Sequence, residues 1–155
     1  MAGKSKRIKS QGLKIEISSL PSQDIDATNL VFIDLSATGK QVSYQGGQSD
    51  EIDTTTFASD EKEFELGLGD PGELSVEGNY KPSDAGQAVL LEAHRTKNKY
   101  VVRISFADED KTQSLVVGMV RQYQWQAAVN GIVSSTYSLR LSGATKIVTT
   151  PPAGN

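Results

Sequence analysis

The amino-acid sequence predicts a mainly β protein that carries one amphipathic helix. Three observations lead there. Apolar and polar residues alternate in short runs along most of the chain, which is the period of half-buried strands. One stretch switches to a four-residue spacing, the period of a helix face. Glycine, proline and asparagine steps fall between these runs, where the chain must turn.

Taken in order, Leu13, Ile15 and Ile17 alternate with Lys14, Glu16 and Ser18, and Val31, Ile33 and Leu35 form a second run. Val42 and Tyr44 mark a third. Leu74, Val76 and Tyr80 share a face opposite Ser75, Glu77 and Asn79. Tyr100, Val102, Ile104 and Phe106 share one opposite Arg103 and Ser105. Residues 115–125 begin apolar on both faces, and Val133, Tyr137, Leu139 and Leu141 alternate with Ser134, Thr136, Ser138 and Arg140. The last two strands should pair as a hairpin, because Asn130-Gly131 lies between them and both residues tolerate positive φ.

The helix is expected over residues 83–97, where Ala85, Val89 and Ala93 recur every four residues beside Gly86 and Leu90. Pro82 and a capping Ser83 or Asp84 signal its start, and Gln87 is placed for a reciprocal capping bond. Arg95 and Lys97 suit its negative C-terminal end. Residues 46–50 and 57–72 lack an obvious core face and read as long loops, the second rich in Asp, Glu and Gly. Loops beyond about 12 residues are uncommon in compact domains and tend to be functional or disordered. The ends, residues 1–10 and 149–155, read as a basic N-terminal arm and a Pro/Gly tail that fray.

Composition sets limits on function. At 155 residues, with 37% hydrophobic and 23% charged residues, the chain is long enough for one domain with its own core and rather polar. The absence of cysteine removes disulfides, thiolate metal sites and a cysteine nucleophile, so stability must come from packing or assembly. No apolar run approaches the ~18 residues of a membrane span. The basic cluster Lys4, Lys6, Arg7 and Lys9 is not followed by the apolar segment of a secretory signal. A net charge of −3 and a pI near 5.2 argue against a grip on nucleic acid, which needs a dense basic face.

Catalytic constellations are missing from the pattern. His94 stands alone on the polar side of the helix, where a solvated or interface role fits better than catalysis. The carboxylates of Glu51, Asp53, Asp60, Glu61 and Glu63 lack the spacing of a calcium loop and read as a solvated acidic segment rather than a paired catalytic set. The glycines Gly67, Gly69 and Gly72 fail as a phosphate cradle. No P-loop lysine accompanies them, Pro71 removes a donor and Asp70 would repel phosphate. Tyr123 and Trp125 alternate along a strand and could stack bases or sugars, but with only Arg121 nearby, core packing or a subunit contact is the better reading. No catalytic residue, metal site or cofactor is expected.

Several strings resemble the core signature of siphophage major tail tube proteins. They are Glu51-Ile52-Asp53-Thr54-Thr55-Thr56-Phe57-Ala58-Ser59, then Lys62-Glu63-Phe64, Gly67-Leu68 and Asp70-Pro71-Gly72. Gly78-Asn79-Tyr80 followed by Ser83-Asp84-Ala85-Gly86-Gln87 resembles that family's strand-to-helix passage, and Asn130-Gly131 with residues 137–144 resembles its closing strands. The resemblance spans about residues 51–144; the first 50 residues match only in being β-rich.

The resemblance implies a single tail tube domain over residues 1–155, a β-sandwich or split barrel of two antiparallel sheets flanked by one α-helix. It implies a structural virion protein, assembled in the host cytoplasm as stacked hexameric rings, through whose tube DNA passes without specific binding. Its partners would be itself, the tape measure protein, the tail terminator and distal tail or baseplate proteins. The chain stops at Asn155 without room for the immunoglobulin-like decoration domain of some members, so a smooth tube is expected. Within this reading residues 46–72 form a long assembly loop region. Glu51, Ile52, Asp53, Phe57, Phe64, Leu68, Asp70 and Leu91 are the candidate interface residues. A related tube, from a contractile tail or a type VI secretion system, is the nearest alternative. A carbohydrate-binding β-sandwich with Trp125 and Tyr123 as its platform is the alternative from another class.

Overall fold

The computed structural model describes residues 8, 12–26, 29–47, 49–108, 111–143 and 145–149, without the side chains of Asp50, Gly67 and Leu68. The expected N-terminal arm and C-terminal tail therefore lie almost wholly outside the described residues. Among the described residues, ten strands and one helix follow in the order β1 (Lys14–Ser18), β2 (Phe32–Asp34), β3 (Gly39–Gln45), β4 (Ser49–Asp53), β5 (Phe64–Gly69), β6 (Glu73–Asn79), α1 (Ala85–Thr96), β7 (Tyr100–Ser105), β8 (Gln113–Gln126), β9 (Ser134–Leu141) and β10 (Lys146–Val148). They form two antiparallel sheets of unequal size. The larger runs β2-β1-β7-β8-β9-β6-β3 with β10 beside β8, and β4 and β5 make the smaller.

The long strand β8 belongs to both halves of the larger sheet. Its first part pairs with β7 from Gln113 to Gly118, and its second part pairs with β9 from Gly118 to Gln126. Between Val120 and Gln122 the register with β9 shifts by one residue, a bulge at Arg121. Before the bulge the even-numbered Val116 and Val120 face the core; after it the odd-numbered Tyr123 does. One inserted residue thus changes which parity of β8 faces the core, while the side of the sheet that faces it, marked by Leu139 and Tyr137 on β9, stays the same.

The core gathers Ile15, Ile17, Leu74, Val76, Val102, Ile104, Val116, Val120, Tyr137, Leu139 and Leu141 from the strands, with Leu90 and Ala93 from α1 and Leu35 from the turn after β2. The two halves of the sheet differ in their second face. In β1 and β7 it too is buried: Val101 is fully covered, and Glu16 is buried although its alternation suggests solvent. Arg103 makes this tolerable, holding Glu16 through Nη2 at 3.0 Å while its guanidinium lies over the Phe32 ring. The segment after β1 is tied across this side by Ser22 N–H to the Lys99 carbonyl and by the Asp26–Lys146 ion pair.

The passage from β6 to α1 explains the Asp-x-Gly-Gln string. Asp84 caps the helix, its side chain accepting from the Gly86 and Gln87 N–H groups. A Cβ on Gly86 would sit 2.3 Å from a Leu35 methyl, so only glycine lets the helix approach this closely. Gln87 does not make the reciprocal capping bond expected of it. Buried, it accepts from Lys81 N–H at 2.8 Å and from the Tyr137 hydroxyl at 3.1 Å, and donates to the Asn79 carbonyl at 2.6 Å. Strand, helix and closing strand are stitched together by one amide. The helix ends at Lys97 with φ of 61°, whose N–H bonds the Ala93 carbonyl.

β8 and β9 pair as expected, but their seven-residue loop, 127–133, does not use the positive φ that Asn130-Gly131 tolerates: Gln126 pairs with Ser134, and neither residue has a positive φ. Gly131 instead closes a turn by donating to the Ala128 carbonyl. Parts of the two stretches read as loops are strands, β4 and β5, paired through Glu51 with Leu66, Ile52 with Glu65 and Asp53 with Phe64.

Replacing Gln87 with Ala should cost ~2–3 kcal/mol, since it leaves buried donors and an acceptor without partners, and a urea unfolding midpoint will report it. Burial pushes the Tyr137 phenol up from 10.0 to about 12. An unfolded tyrosine ionises first, so its contribution is complete below pH 10.0 and is lost as pH rises toward about 12. Urea midpoints at increasing alkaline pH should therefore fall more steeply for the wild type than for Tyr137→Phe.

Candidate assembly interface

Two features of the surface have no part in holding the core. The first is the polar side of β3, β6, β9 and the second half of β8. Cross-strand pairing sets its residues in rows: Gln45, Glu73, Arg140 and Met119; Ser43, Ser75, Ser138 and Gln122; Gln41, Glu77, Thr136 and Gln124; then Asn79, Ser134 and Gln126. The opposite side of the same strands carries the core residues Val42, Leu74, Val76, Tyr137, Leu139 and Val120.

This polar side is built of amides and hydroxyls with few charges. Its two arginines are engaged: Arg121 Nη2 bonds Glu73 at 2.8 Å, and Arg140 pairs with Asp70. Both outer strands of this half have an open edge among the described residues. No strand follows β3, and β8 beyond Gly118 has β9 on one side only. Such edges are templates for pairing with another chain.

The second feature is the β4–β5 hairpin, an arm that stands apart from the larger sheet. Its root is a backbone neck. A Cβ on Gly47 would meet the Asp70 carbonyl oxygen at 1.9 Å, and one on Gly72, where φ is +105°, would meet the Gln45 carbonyl oxygen at 2.0 Å. Asp70 locks the neck by accepting from Gly72 N–H at 2.9 Å and pairing with Arg140. The Gly72 N–H, and after it Arg140, hold the Asp70 carboxyl below the usual carboxylate range, so this tie persists above that range and is lost as pH falls through the lowered value.

The tip is a compact web made by the Thr-Thr-Thr-Phe-Ala-Ser string. Thr54 N–H donates to the Glu63 carbonyl at 2.9 Å, and Glu63 N–H donates to Thr55 Oγ1 at 2.8 Å. Thr56 N–H donates to Ser59 Oγ at 3.1 Å, whose hydroxyl donates to Glu63 Oε2 at 3.1 Å. Asp53 accepts from Thr55 through Oδ1 at 2.9 Å, and the Thr55 bonds hold its carboxyl below the ordinary range. The turn so fixed presents Phe57 fully to solvent.

The expected interface residues fall into three groups. Glu51, Ile52, Asp53, Phe57 and Phe64 lie together on the arm, where Ile52 and Phe64 are half exposed; Leu68 is on β5 with its side chain outside the described residues. Asp70 is at the root. Leu91 is on α1, packed partly against the core and remote in sequence from the arm. Sequence reasoning missed Leu66, which is 72% exposed on β5; its alternation with Glu65 was the available signal.

The remaining candidates resolve as packing groups. His94 is half-buried with its ring edge-on to Tyr123 at 4.9 Å, and Tyr123 stacks on Tyr137 within the core margin. Trp125 stays exposed at the far end of the polar sheet, stacked on Tyr80 at 6.0 Å. Among the described residues no group of three or more His, Cys, Asp or Glu side chains is placed to hold a metal ion. No described helix is long and apolar enough to cross a membrane.

A curled antiparallel sheet with one flanking helix, open edges, one polar side and a projecting hairpin defines an assembly module. The family described as phage tail tube, TTP, lambda-like matches residues 8–115, and the chain belongs to it. The match begins in the first 50 residues, where the sequence strings carry no specific sign. The chain is thus a structural component of a phage tail and not an enzyme.

Several solved structures share the fold. The SPP1 tail tube superposes with a TM-score of 0.67 at 15% identity, over 94% of this chain and 80% of that one. The tail of a gene transfer agent particle, refined with C6 symmetry, gives 0.64 at 13%, over 90% and 98%. The sheath/tube terminator of an extracellular contractile injection system gives 0.64 at 10%, over 93% and 98%. No curated protein sequence matches significantly.

Gly72→Ala should strain the neck by ~1–3 kcal/mol, since a side chain at this φ meets the Gln45 carbonyl. Hydrogen exchange should then speed up at the arm amides of Ile52 and Leu66 while those of Val102 and Leu139 keep their protection.

Proposed function

We propose that this protein polymerises as stacked hexameric rings that form the phage tail tube, through which DNA passes during ejection. The observation that carries the reading is the polar face of β3, β6, β9 and β8 between two open edges. Joining the β3 edge of one copy to the free β8 edge of the next satisfies both edges and, repeated around a closed ring, makes a continuous inner sheet. The core side chains then point outward from the channel, and the rows of Gln, Ser and Thr point into it.

Such a lining suits passage of DNA. A phosphate backbone is gripped by free cations, and here Arg121 and Arg140 are held by Glu73 and Asp70. The chain's net charge of −3 adds a mild repulsion. Six copies per ring is supported by the sixfold symmetry of the similar gene transfer agent tail.

The arm, residues 49–69, reaches the adjacent ring in this reading. A two-stranded hairpin with exposed Phe57, Phe64 and Leu66 gains little from its own body and much from a covering partner. The basic N-terminal arm and the C-terminal tail contribute to the same contact. The ends of the tube would meet the tape measure protein, the tail terminator and distal tail or baseplate proteins. Support comes from the similar structures, which include the tube-terminating cap and the baseplate of the anti-feeding prophage and the sheath/tube terminator of a contractile injection system.

Phe57→Asp or Phe64→Asp should alter stability by no more than ~0.5 kcal/mol, since both side chains are exposed. The same variants should give folded monomers and no tubes by negative-stain electron microscopy, under conditions where the wild type gives hollow tubes of uniform width. Normal tubes from both variants would exclude the arm from the contact.

A further inference from the structure

The arm of one copy needs a receiving site, and the opposite rim of the sheet offers one. We infer that the Phe57 tip of each arm docks on the rim formed by the half-buried Tyr80, the exposed Trp125 stacked on it, and the exposed Val129 and Ile132 of the adjoining loop, on a copy in the next ring. The inference rests on the ring reading above.

The geometry follows from the strands. The neck of the arm joins the sheet beside Gln45 and Glu73, at one end of β3 and β6. Asn79, Ser134 and Gln126 pair at the other end of the same sheet, six residues and so about 20 Å away. Tyr80 and Trp125 lie at that end, and the loop 127–133 that carries Val129 and Ile132 extends past it. When copies join edge to edge through β3 and β8, every strand of the inner sheet runs from one rim of the ring to the other. The arm then leaves one rim and the aromatic cluster occupies the opposite one. Stacking rings in the same orientation sets tip against cluster once per subunit, a head-to-tail contact that never closes on itself and so extends indefinitely.

Both partners are surplus to their own subunit. Phe57 and Val129 are fully exposed, Ile132 is 71% and Trp125 57% exposed, and the Tyr80 ring already forms a flat stack with the indole. The tip web around Thr55, Thr56, Ser59 and Glu63 holds Phe57 outward before any partner arrives, which reduces the ordering cost of docking. Charge points the same way. Residues 49–69 carry seven carboxylates against Lys62, a net of −6 in a chain of net −3. The exposed Lys40 and Lys81 lie at the aromatic rim, where the tip acids Asp60 and Glu61 would arrive. The acidic arm therefore meets a more favourable surface on another copy than on a second arm.

The chain has no cysteine, so single cysteines report contacts cleanly. Phe57→Cys and Val129→Cys proteins, with Ile132→Cys as a second partner, are mixed in pairs, assembled, oxidised with a mild disulfide-exchange couple and run on a non-reducing gel beside electron micrographs. Most of the protein in tubes should become disulfide-linked heterodimers joining position 57 to position 129 or 132. Tubes of normal width that yield no heterodimer with either partner, or only homodimers of the Phe57→Cys protein, would overturn the docking and leave the ring reading standing. Heterodimers formed without rings or tubes would keep the docking pair and overturn the ring reading.

Discussion

Everything in this fold turns on the bulge in β8. A strand of 14 residues with strict alternation would carry one apolar face from end to end and would flatten the sheet it crosses. The residue inserted at Arg121 lets Val116 and Val120 serve the core before it and Tyr123 after it, so the strand can leave one half of the sheet and enter the other. The polar rows beyond the bulge exist for the same reason. Gln122, Gln124 and Gln126 line up with Ser138, Thr136 and Ser134 because the register moved by one.

The body of the protein was legible in the sequence where burial enforces a period. Leu74 and Val76, Val102 and Ile104, and Tyr137 to Leu141 alternate because each packs against one core, and Ala85, Val89 and Ala93 trace α1 for the same reason. Burial on a second face was not legible. Glu16 alternates like a solvent residue, and only the distant Arg103 and Phe32 make its position habitable. The pairing of β8 with β9 could be anticipated, but the form of its loop could not, since Asn-Gly is equally at home closing a wider connection. Three-residue strands such as β10 are too short to show any period.

The arm was harder to see for a different reason. Its strands have no core to alternate against, so Phe64 and Leu66 against Glu65 lies within a background of glycines and acids that reads as loop. Resemblance to tail tube proteins marked these residues as a group, and the hydrogen bonds of Thr54, Thr55, Thr56 and Ser59 give the physical content of that string. It is a scaffold for a turn whose product is one presented phenyl ring. Asp70, in the same string, secures the root instead of the tip.

The glycine neck separates two properties that side chains elsewhere must supply together. At Gly47 and Gly72 the arm is aimed by carbonyl oxygens of its own chain, with no room for any side chain to intervene. Direction is thereby inherited from the backbone, while the chemistry of the tip is free to drift. Lineages of such a protein can diverge at a few outermost positions without redesigning the body that carries the arm.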